Sequence, residues 1–189
     1  MRHKDEKKYD AICNAAIQLI NEIGFAQASM SKIAKKAGVS PASIYTYFDN
    51  KEDMLVKLYI RGKREMADYV AAELTPGISL ESATHSILKR LYHYTLEHRD
   101  FFAFTEQFSN SPLIHCIQQE SMESFYAIVE LYKQGIRDKI IRDLPMEIIS
   151  AFSFFPVMSL CKAHLAGEIN ITDDMLDTIA DLAWKAITV

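Results

Sequence analysis

Apolar residues recur at the helical period along almost the whole chain, and no stretch alternates apolar and polar residues between turn signals as a strand does. A chain patterned this way hides its apolar stripes by packing helix on helix, so the expected fold is all-α. The punctuation agrees: the few glycines and prolines fall where helices should begin or stop, at Gly24, Gly38, Pro41, Pro76-Gly77, Pro112, Gly135, Pro145 and Gly167. They divide the chain into about nine helices. Short segments fill residues 1–50, and longer ones are predicted at roughly Lys51–Leu74, Leu80–His98, Pro112–Gln134, Pro145–Ala166 and Asp173–Ile187. The expected architecture is a small three-helix N-terminal head on a larger C-terminal helical bundle.

Composition narrows the class. With 49 % hydrophobic and 24 % charged residues over 189 positions, the chain suits compact folding rather than disorder. Three cysteines lie far apart without a CxxC pair, which excludes a disulfide framework or zinc ribbon and fits a reducing, cytoplasmic setting. The longest charge-free stretch, Ile148 to Cys161, is shorter than a bilayer-spanning helix and reads as a buried helix, so no membrane partner is expected. No signal-peptide pattern follows the charged N-terminus. The net charge of −4 hides an asymmetry: residues 1–66 hold 12 Lys and Arg against 8 Asp and Glu, whereas residues 67–189 hold 9 against 17. A basic module on an acidic body can dock on phosphates through its local field.

Within the head, Ile12, Ala15, Ala16, Leu19, Ile20 and Ile23 form one apolar face that ends at Gly24. A second helix begins at Ser29, with Met30, Ile33, Ala34 and Ala37 on one side and Lys32, Lys35 and Lys36 on the other. Gly38 then permits a left-handed turn, Ser40 caps a third helix and Pro41 occupies its first position. Two short helices joined by a glycine turn form a helix-turn-helix. The third helix, predicted from Pro41 to Phe48, turns Ile44 and Phe48 inward and Ala42, Ser43 and Thr46 outward, flanked by Tyr45 and Tyr47. Such a face fits a major groove, with phenol hydroxyls at its edges reaching phosphates. Asn50 caps the next helix with Asp53 as partner, and Lys51 stands at its exposed N-terminus.

The runs Ile12 to Phe25 (ICNAAIQLINEIGF), Ser29 to Ser40 (SMSKIAKKAGVS) and Ile44 to Leu55 (IYTYFDNKEDML) resemble, in order and spacing, the DNA-binding head of TetR/AcrR-type bacterial transcriptional regulators. The resemblance implies an all-helical homodimer, two heads on double-stranded DNA, and a variable C-terminal bundle that senses a small molecule. It places DNA contacts on Ser29, Ser40, Pro41, Ala42, Ser43, Tyr45, Thr46, Tyr47 and Lys51. The domains expected are a DNA-binding head at 1–50, a connecting helix at 51–74 and a ligand-binding and dimerisation bundle at 75–189. This chain departs from the pattern in Pro41-Ala42, where a Gly or basic residue often follows the serine. Its reading face carries no Arg, Lys, Asn or Gln, so discrimination should rest on Ser43, Thr46, Tyr47, apolar contact from Ala42, and DNA shape. An arm of Arg2, Lys4, Lys7 and Lys8 is expected to add phosphate or minor-groove contacts.

The bundle is rich in aromatics, and Pro156 inside a helical run removes the donor to the Phe152 carbonyl. A kink there would open a cavity, with Tyr92, Phe104, Phe108, Tyr126, Phe155 and Met158 as candidate walls for a mainly apolar effector. In the last helix the apolar residues cover more than half the circumference, too much for one neighbour; Met175, Ile179, Leu182, Ala183 and Ala186 are therefore the candidate dimer interface, closed against Pro145–Ala166. A dimer with two heads calls for an inverted-repeat operator. The pairs Cys161/His164 and His93/Glu97 are too few for a metal site, His115-Cys116 lacks a third group for nucleophilic catalysis, and no GxSxG, phosphate loop or HExxH occurs. No cofactor and no enzymatic activity are expected. The function expected is a ligand-responsive repressor; the alternative is a DNA-organising protein with a protein partner and no small-molecule effector.

Overall fold

The structure is a computed structural model that describes residues 2–115, 117 and 123–189. Cys116 and the side chains of residues 2–5 fall outside the described residues, and with them the Arg2 and Lys4 part of the arm and the His115-Cys116 pair. Nine helices occur among the described residues: α1 (Arg2–Gln27), α2 (Met30–Ala37), α3 (Pro41–Ile44), α4 (Lys51–Ala71), α5 (Leu80–Glu97), α6 (Arg99–Ser109), α7 (Tyr126–Arg137), α8 (Met146–Leu165) and α9 (Asp173–Ile187). One isolated antiparallel bridge joins Ile141 and Thr188. The chain divides into two compact units, Met1–Lys63 with Asp100–Ser121 and Arg64–Arg99 with Met122–Val189.

In the first unit, α1 contributes Ile12, Ala15, Ala16 and Ile20 to a core shared with Ile33 and Ala34 of α2, Ile44 and Phe48 around α3, and Met54 and Leu55 of α4, all buried. Gly24 interrupts α1 with φ 76° and ψ 164°, the stop expected there, before a last stretch runs to Gln27. The unit takes in more than residues 1–50, because α6 joins it. Phe104 and Phe108 sit 5.9 and 6.3 Å from the Phe25 ring, and Phe108 stacks on Tyr59 at 4.4 Å. Asn21 of α1 donates to the Asp100 carbonyl at 2.8 Å and accepts from Gln107 at 3.3 Å. At Gly62 a Cβ would lie 2.1 Å from the Phe101 ring, so close approach, not backbone conformation, requires glycine.

In the second unit, α8 and α9 pack on α5, whose Ala83, Ile87, Leu88 and Leu91 are buried. The buried hydroxyls of Thr84, Thr95 and Ser153 each donate to the carbonyl four residues earlier in their own helix, at 2.7–2.8 Å, so they remain satisfied inside an apolar interior. The surface ion pair Lys89–Asp177 links α5 to α9, and His85 Nε2 lies 3.4 Å from Asp181 Oδ1.

Three expectations are corrected. The predicted helix Pro112–Gln134 is not continuous: residues 112–113 and 124–125 are turns, and the helix proper is α7. The connecting helix stops at Ala71, not Leu74. The stretch Ile148–Cys161 is not a buried helix. Only the stripe Ile149, Ser153, Val157 and Cys161 of α8 is buried, whereas Ile148, Phe152 and Phe155 are 42 %, 59 % and 62 % exposed. At 20 residues α8 is also long and apolar enough to cross a membrane by composition. Its packed stripe against α5 and α9 gives it instead the geometry of a half-covered bundle helix.

Candidate nucleic-acid interface

The helix-turn-helix is built by caps at every boundary. Ser29 Oγ accepts from the Lys32 N–H at 3.3 Å and starts α2. Gly38, at φ 68° and ψ 28°, ends it; its N–H and that of Val39 return to the Lys35 and Ala34 carbonyls at 3.3 and 3.0 Å. Ser40 Oγ accepts from the Ser43 N–H at 3.3 Å and shares a 2.9 Å hydrogen bond with the Ser43 hydroxyl, while Pro41 fills the first helical position. The recognition segment is regular helix only through Ile44 rather than to Phe48. Its second half tightens: Tyr47 N–H bonds to Ile44 O at 2.9 Å, and Thr46 Oγ1 donates to Ser43 O at 2.7 Å, taking a carbonyl that a longer helix would use.

This geometry separates inside from outside. Ile44 and Phe48 are at most 1 % exposed, while Tyr45 is 56 % exposed and Pro41, Ala42 and Thr46 lie open around it. Ser43 and Tyr47 are half-buried. Lys51 takes a structural part as well, its ammonium donating to the Phe25 carbonyl at 3.0 Å and tying the end of α1 to the start of α4. Of the lysines on the outer face of α2, Lys32 donates to Gln27 O at 3.0 Å and Lys36 pairs with Glu22 at 2.7 Å. Lys35 is exposed.

A supporting layer went unread in the sequence. Tyr9 of α1 stacks on Phe48 and meets Tyr47 edge-on, both at 5.5 Å, and Arg61 lies over the other side of this cluster, 5.3 Å from the Tyr9 ring, bonded to Asp10 at 2.8 Å. Lys57 donates to Tyr47 O at 3.3 Å and to Asp53 at 2.8 Å. The Lys57 hydrogen bond holds the Asp53 carboxyl below its usual range. Asp53 also donates its N–H to Asn50 Oδ1 at 2.8 Å, the forward bond of the expected capping box, while its carboxylate accepts the return bond from the Asp49 N–H at 3.0 Å, one residue before the cap. The i, i+4 pair Asp53–Lys57 was the only local sign of this layer; Tyr9 and Arg61 are too distant in sequence to announce it. Burial pushes the neighbouring Cys13 thiol up to about 11.

The candidate effector walls are divided between the two units. Phe104 and Phe108 belong to the first unit's aromatic core, whereas Tyr92, Tyr126, Phe155 and Met158 belong to the second unit. Tyr126 and Phe155, at 65 % and 62 % exposed, are surface residues in one chain. The Tyr92 hydroxyl bonds His164 Nδ1 at 3.0 Å, and the Ile171 N–H donates to that same nitrogen at 3.2 Å, which ties up this atom of the Cys161/His164 pair. A separate apolar cavity of about 370 Å³ lies in the first unit, between Phe25, Lys51, Leu55 and Pro112. No group of three metal-ligating side chains occurs among the described residues. Among candidate dimer residues, Met175, Leu182 and Ala186 are exposed, Ile179 is half-buried, and Ala183 is 6 % exposed and belongs to the chain's own core.

Comparison with known proteins places this arrangement. Residues 80–188 match the family described as "Tetracyclin repressor-like, C-terminal domain", and residues 12–58 match "Bacterial regulatory proteins, tetR family". The fatty acid metabolism regulator protein of Bacillus subtilis is 46 % identical over 63 residues, 33 % of this chain and 31 % of that relative, so the match spans under a third of it. A TetR family transcription regulator from Marinobacter aquaeolei VT8 has the same fold with a TM-score of 0.94 at 26 % identity, over 100 % of this chain and 99 % of that one. FadR from Bacillus subtilis, solved in complex with stearoyl-CoA, shares the fold with a TM-score of 0.69 at 19 % identity, over 95 % and 97 % of the two chains. The C-terminal profile alone spans more than half of the sequence, and the profile of the N-terminal family begins in α1 and runs past the capped turn into α4: this chain belongs to the TetR family of bacterial, helix-turn-helix, DNA-binding transcriptional regulators.

Proposed function

We propose that the protein is a homodimeric cytoplasmic repressor that holds an inverted-repeat operator with two helix-turn-helix heads and releases it on binding a mainly apolar small molecule. The observation that carries this reading is the open face of α3, where Pro41, Ala42, Thr46 and Tyr45 are presented by a fully buried Ile44–Phe48 anchor. Small and hydroxyl side chains there admit close approach to base edges, and Ser29, Ser40 and the Tyr45 and Tyr47 phenols flank them for phosphates. Lys51 contributes its charge at the start of α4 while its hydrogen bond holds the turn in place.

Dimerisation is supported by the apolar strip left open on α8 and α9: Ile148, Phe152, Phe155, Met175 and Leu182. Exposed apolar patches of this kind mark protein interfaces, and a twofold contact between the α8–α9 faces of two copies covers them. Phe155 is accordingly reassigned from effector wall to interface. For the effector, Tyr92 and Met158 on α5 and α8 remain the candidate walls, and FadR, which shares the fold, was solved in complex with stearoyl-CoA. Ligand-driven release requires the effector to prefer the form with weak operator affinity.

Fluorescence anisotropy with the duplex upstream of the protein's own gene and a scrambled duplex, at two salt concentrations, tests the reading. Preference for the native duplex at both salts, with two protomers per site, and release by apolar rather than polar members of a metabolite panel are expected. Binding to both duplexes alike that vanishes as salt rises is the contrary result. Stabilisation in thermal shift by sugars or polyanions alone would overturn the apolar effector.

A further inference from the structure

Past Ile44 the repeating helical ladder that fixes side-chain directions is gone. In the tail that follows, the N–H groups of Tyr47 and Phe48 converge on one carbonyl, Ile44 O, at 2.9 and 3.1 Å, and the Thr46 hydroxyl takes Ser43 O at 2.7 Å. The two rings of the tail are set by a residue far earlier in the chain. Phe48 stacks on Tyr9 of α1 at 5.5 Å with 29° between the planes, and Tyr47 meets the same ring edge-on at 5.5 Å and 69°. Aromatic pairs favour both arrangements. Neighbouring rings that rest on one platform are coupled in their rotation, so Tyr9 sets the direction of the Tyr47 phenol together with the seat of Phe48.

The platform is itself held. Arg61 of α4 lies 5.3 Å from the centre of the Tyr9 ring and pairs with Asp10, the next residue of α1, at 2.8 Å. Its Nη1 also approaches Cys13 Sγ, one turn further along α1, at 3.9 Å. From α4, Lys57 donates to the Tyr47 carbonyl at 3.3 Å and lies 5.7 Å from the centre of the Phe48 ring. The tail is thus gripped by a ring of α1 and an ammonium of α4, all within the first unit.

We propose that Tyr9 is a positioning residue for sequence-specific DNA binding: its ring is the platform that aims the Tyr47 phenol at the duplex, and Arg61 and Asp10 hold that platform in place. The inference rests on the reading above of the 41–47 face as the surface that meets DNA. Attraction to phosphates tolerates small displacements and supplies the non-specific affinity, whereas a contact at a base edge needs its donor in place. Loosening Tyr9 therefore costs discrimination more than it costs attraction.

The test uses the full chain with a duplex selected from random sequence and a scrambled duplex of equal length. Both are read by anisotropy at several salt concentrations, well below each melting temperature. Tyr9→Leu is expected to lower the ratio of selected to scrambled affinity about tenfold, through the loss of two ring contacts. Affinity for the scrambled duplex should stay within about twofold and the salt slope should not change, since no phosphate-binding cation is removed. Tyr9→Phe, which keeps the ring, should hold the ratio within about twofold, and Arg61→Met should lower it about threefold. In a Tyr47→Ala background Tyr9→Leu should cost the ratio no more than about threefold, because the group it aims is gone. Equal losses on both duplexes, a Tyr9→Phe loss as large as that of Tyr9→Leu, the same loss with and without Tyr47, or no loss at all overturn the assignment. Should Tyr9→Leu fail to fold, Arg61→Met and its combination with Tyr47→Ala decide by the same ratio. A wild type for which no preferred duplex can be selected overturns the DNA-reading face itself, whatever the variants do.

Discussion

Two exposed surfaces of this chain have opposite chemistry. Around α3 the large apolar residues, Ile44 and Phe48, are inside, and what faces out is small, hydroxylated or phenolic. On α8 and α9 the large apolar residues themselves face out, led by Phe155 and Leu182 at 62 % each. Water solvates the first surface at little cost. The second leaves apolar area uncovered, at about 25 cal/mol per Å² against the covered state, and so favours a partner. The comparison teaches that helical periodicity alone cannot tell a core stripe from an interface stripe; what tells them apart is the apolar area left over once the chain's own packing is complete.

Truncating the phenylalanine buried beneath the first surface and one exposed on the second strains the comparison most. Phe48→Ala should destabilise the first unit by about 3–5 kcal/mol in urea unfolding, because it empties a closed core. Phe152→Ala should change the stability of the isolated chain by less than about 0.5 kcal/mol. Similar losses at both sites would mean that Phe152 is already covered. Placing a charge on the open strip comes next. Phe155→Glu should halve the mass in sedimentation and weaken full-site operator binding by about 100-fold, since a central apolar anchor carries 2 kcal/mol or more; an unchanged dimer mass would remove α8 from the interface.

Smaller effects sharpen the α3 side. Ser40→Ala removes the cap on the recognition segment and should lower stability by about 1 kcal/mol, with weaker operator binding beside it. A cap that does not matter would leave both unchanged. The slightest effect is one of pH. Asp53 has its carboxyl held down in the folded state by Lys57, so its contribution is present above the unfolded value of about 4 and fades as pH falls through the lower folded one. Wild type and Asp53→Asn should therefore differ in melting temperature at pH 7 and converge as the pH falls below the lowered folded value; a constant gap would deny the hydrogen bond its role.

Much of the head was legible because its signals are local. Ser29, Ser40 and Asn50 each cap the helix that follows within three residues, and Gly38 takes up the left-handed conformation that ends α2. The recognition segment was overextended to Phe48 because the wheel counts faces but not the competition of the Thr46 hydroxyl for Ser43 O. The effector walls were less legible for a different reason: an aromatic at helical spacing looks the same in the core, where Phe104 packs near Phe25, and on the surface, where Tyr126 stands. Lys51 resembled a free phosphate contact, yet its hydrogen bond goes to a carbonyl 26 residues earlier.

The amino-acid sequence by itself determined that this chain is helical, where most of its helices begin and end, and that it carries a capped helix-turn-helix, since propensity, capping and periodicity act over a few residues. Only the tertiary structure decided that α6 packs into the unit of the head, that Gly62 must yield to the Phe101 ring, that Arg90 bonds the end of a helix on another element, and that α8 leaves Ile148, Phe152 and Phe155 exposed. Each of these depends on which distant side chains meet, a matter of shape and excluded volume that no local pattern encodes.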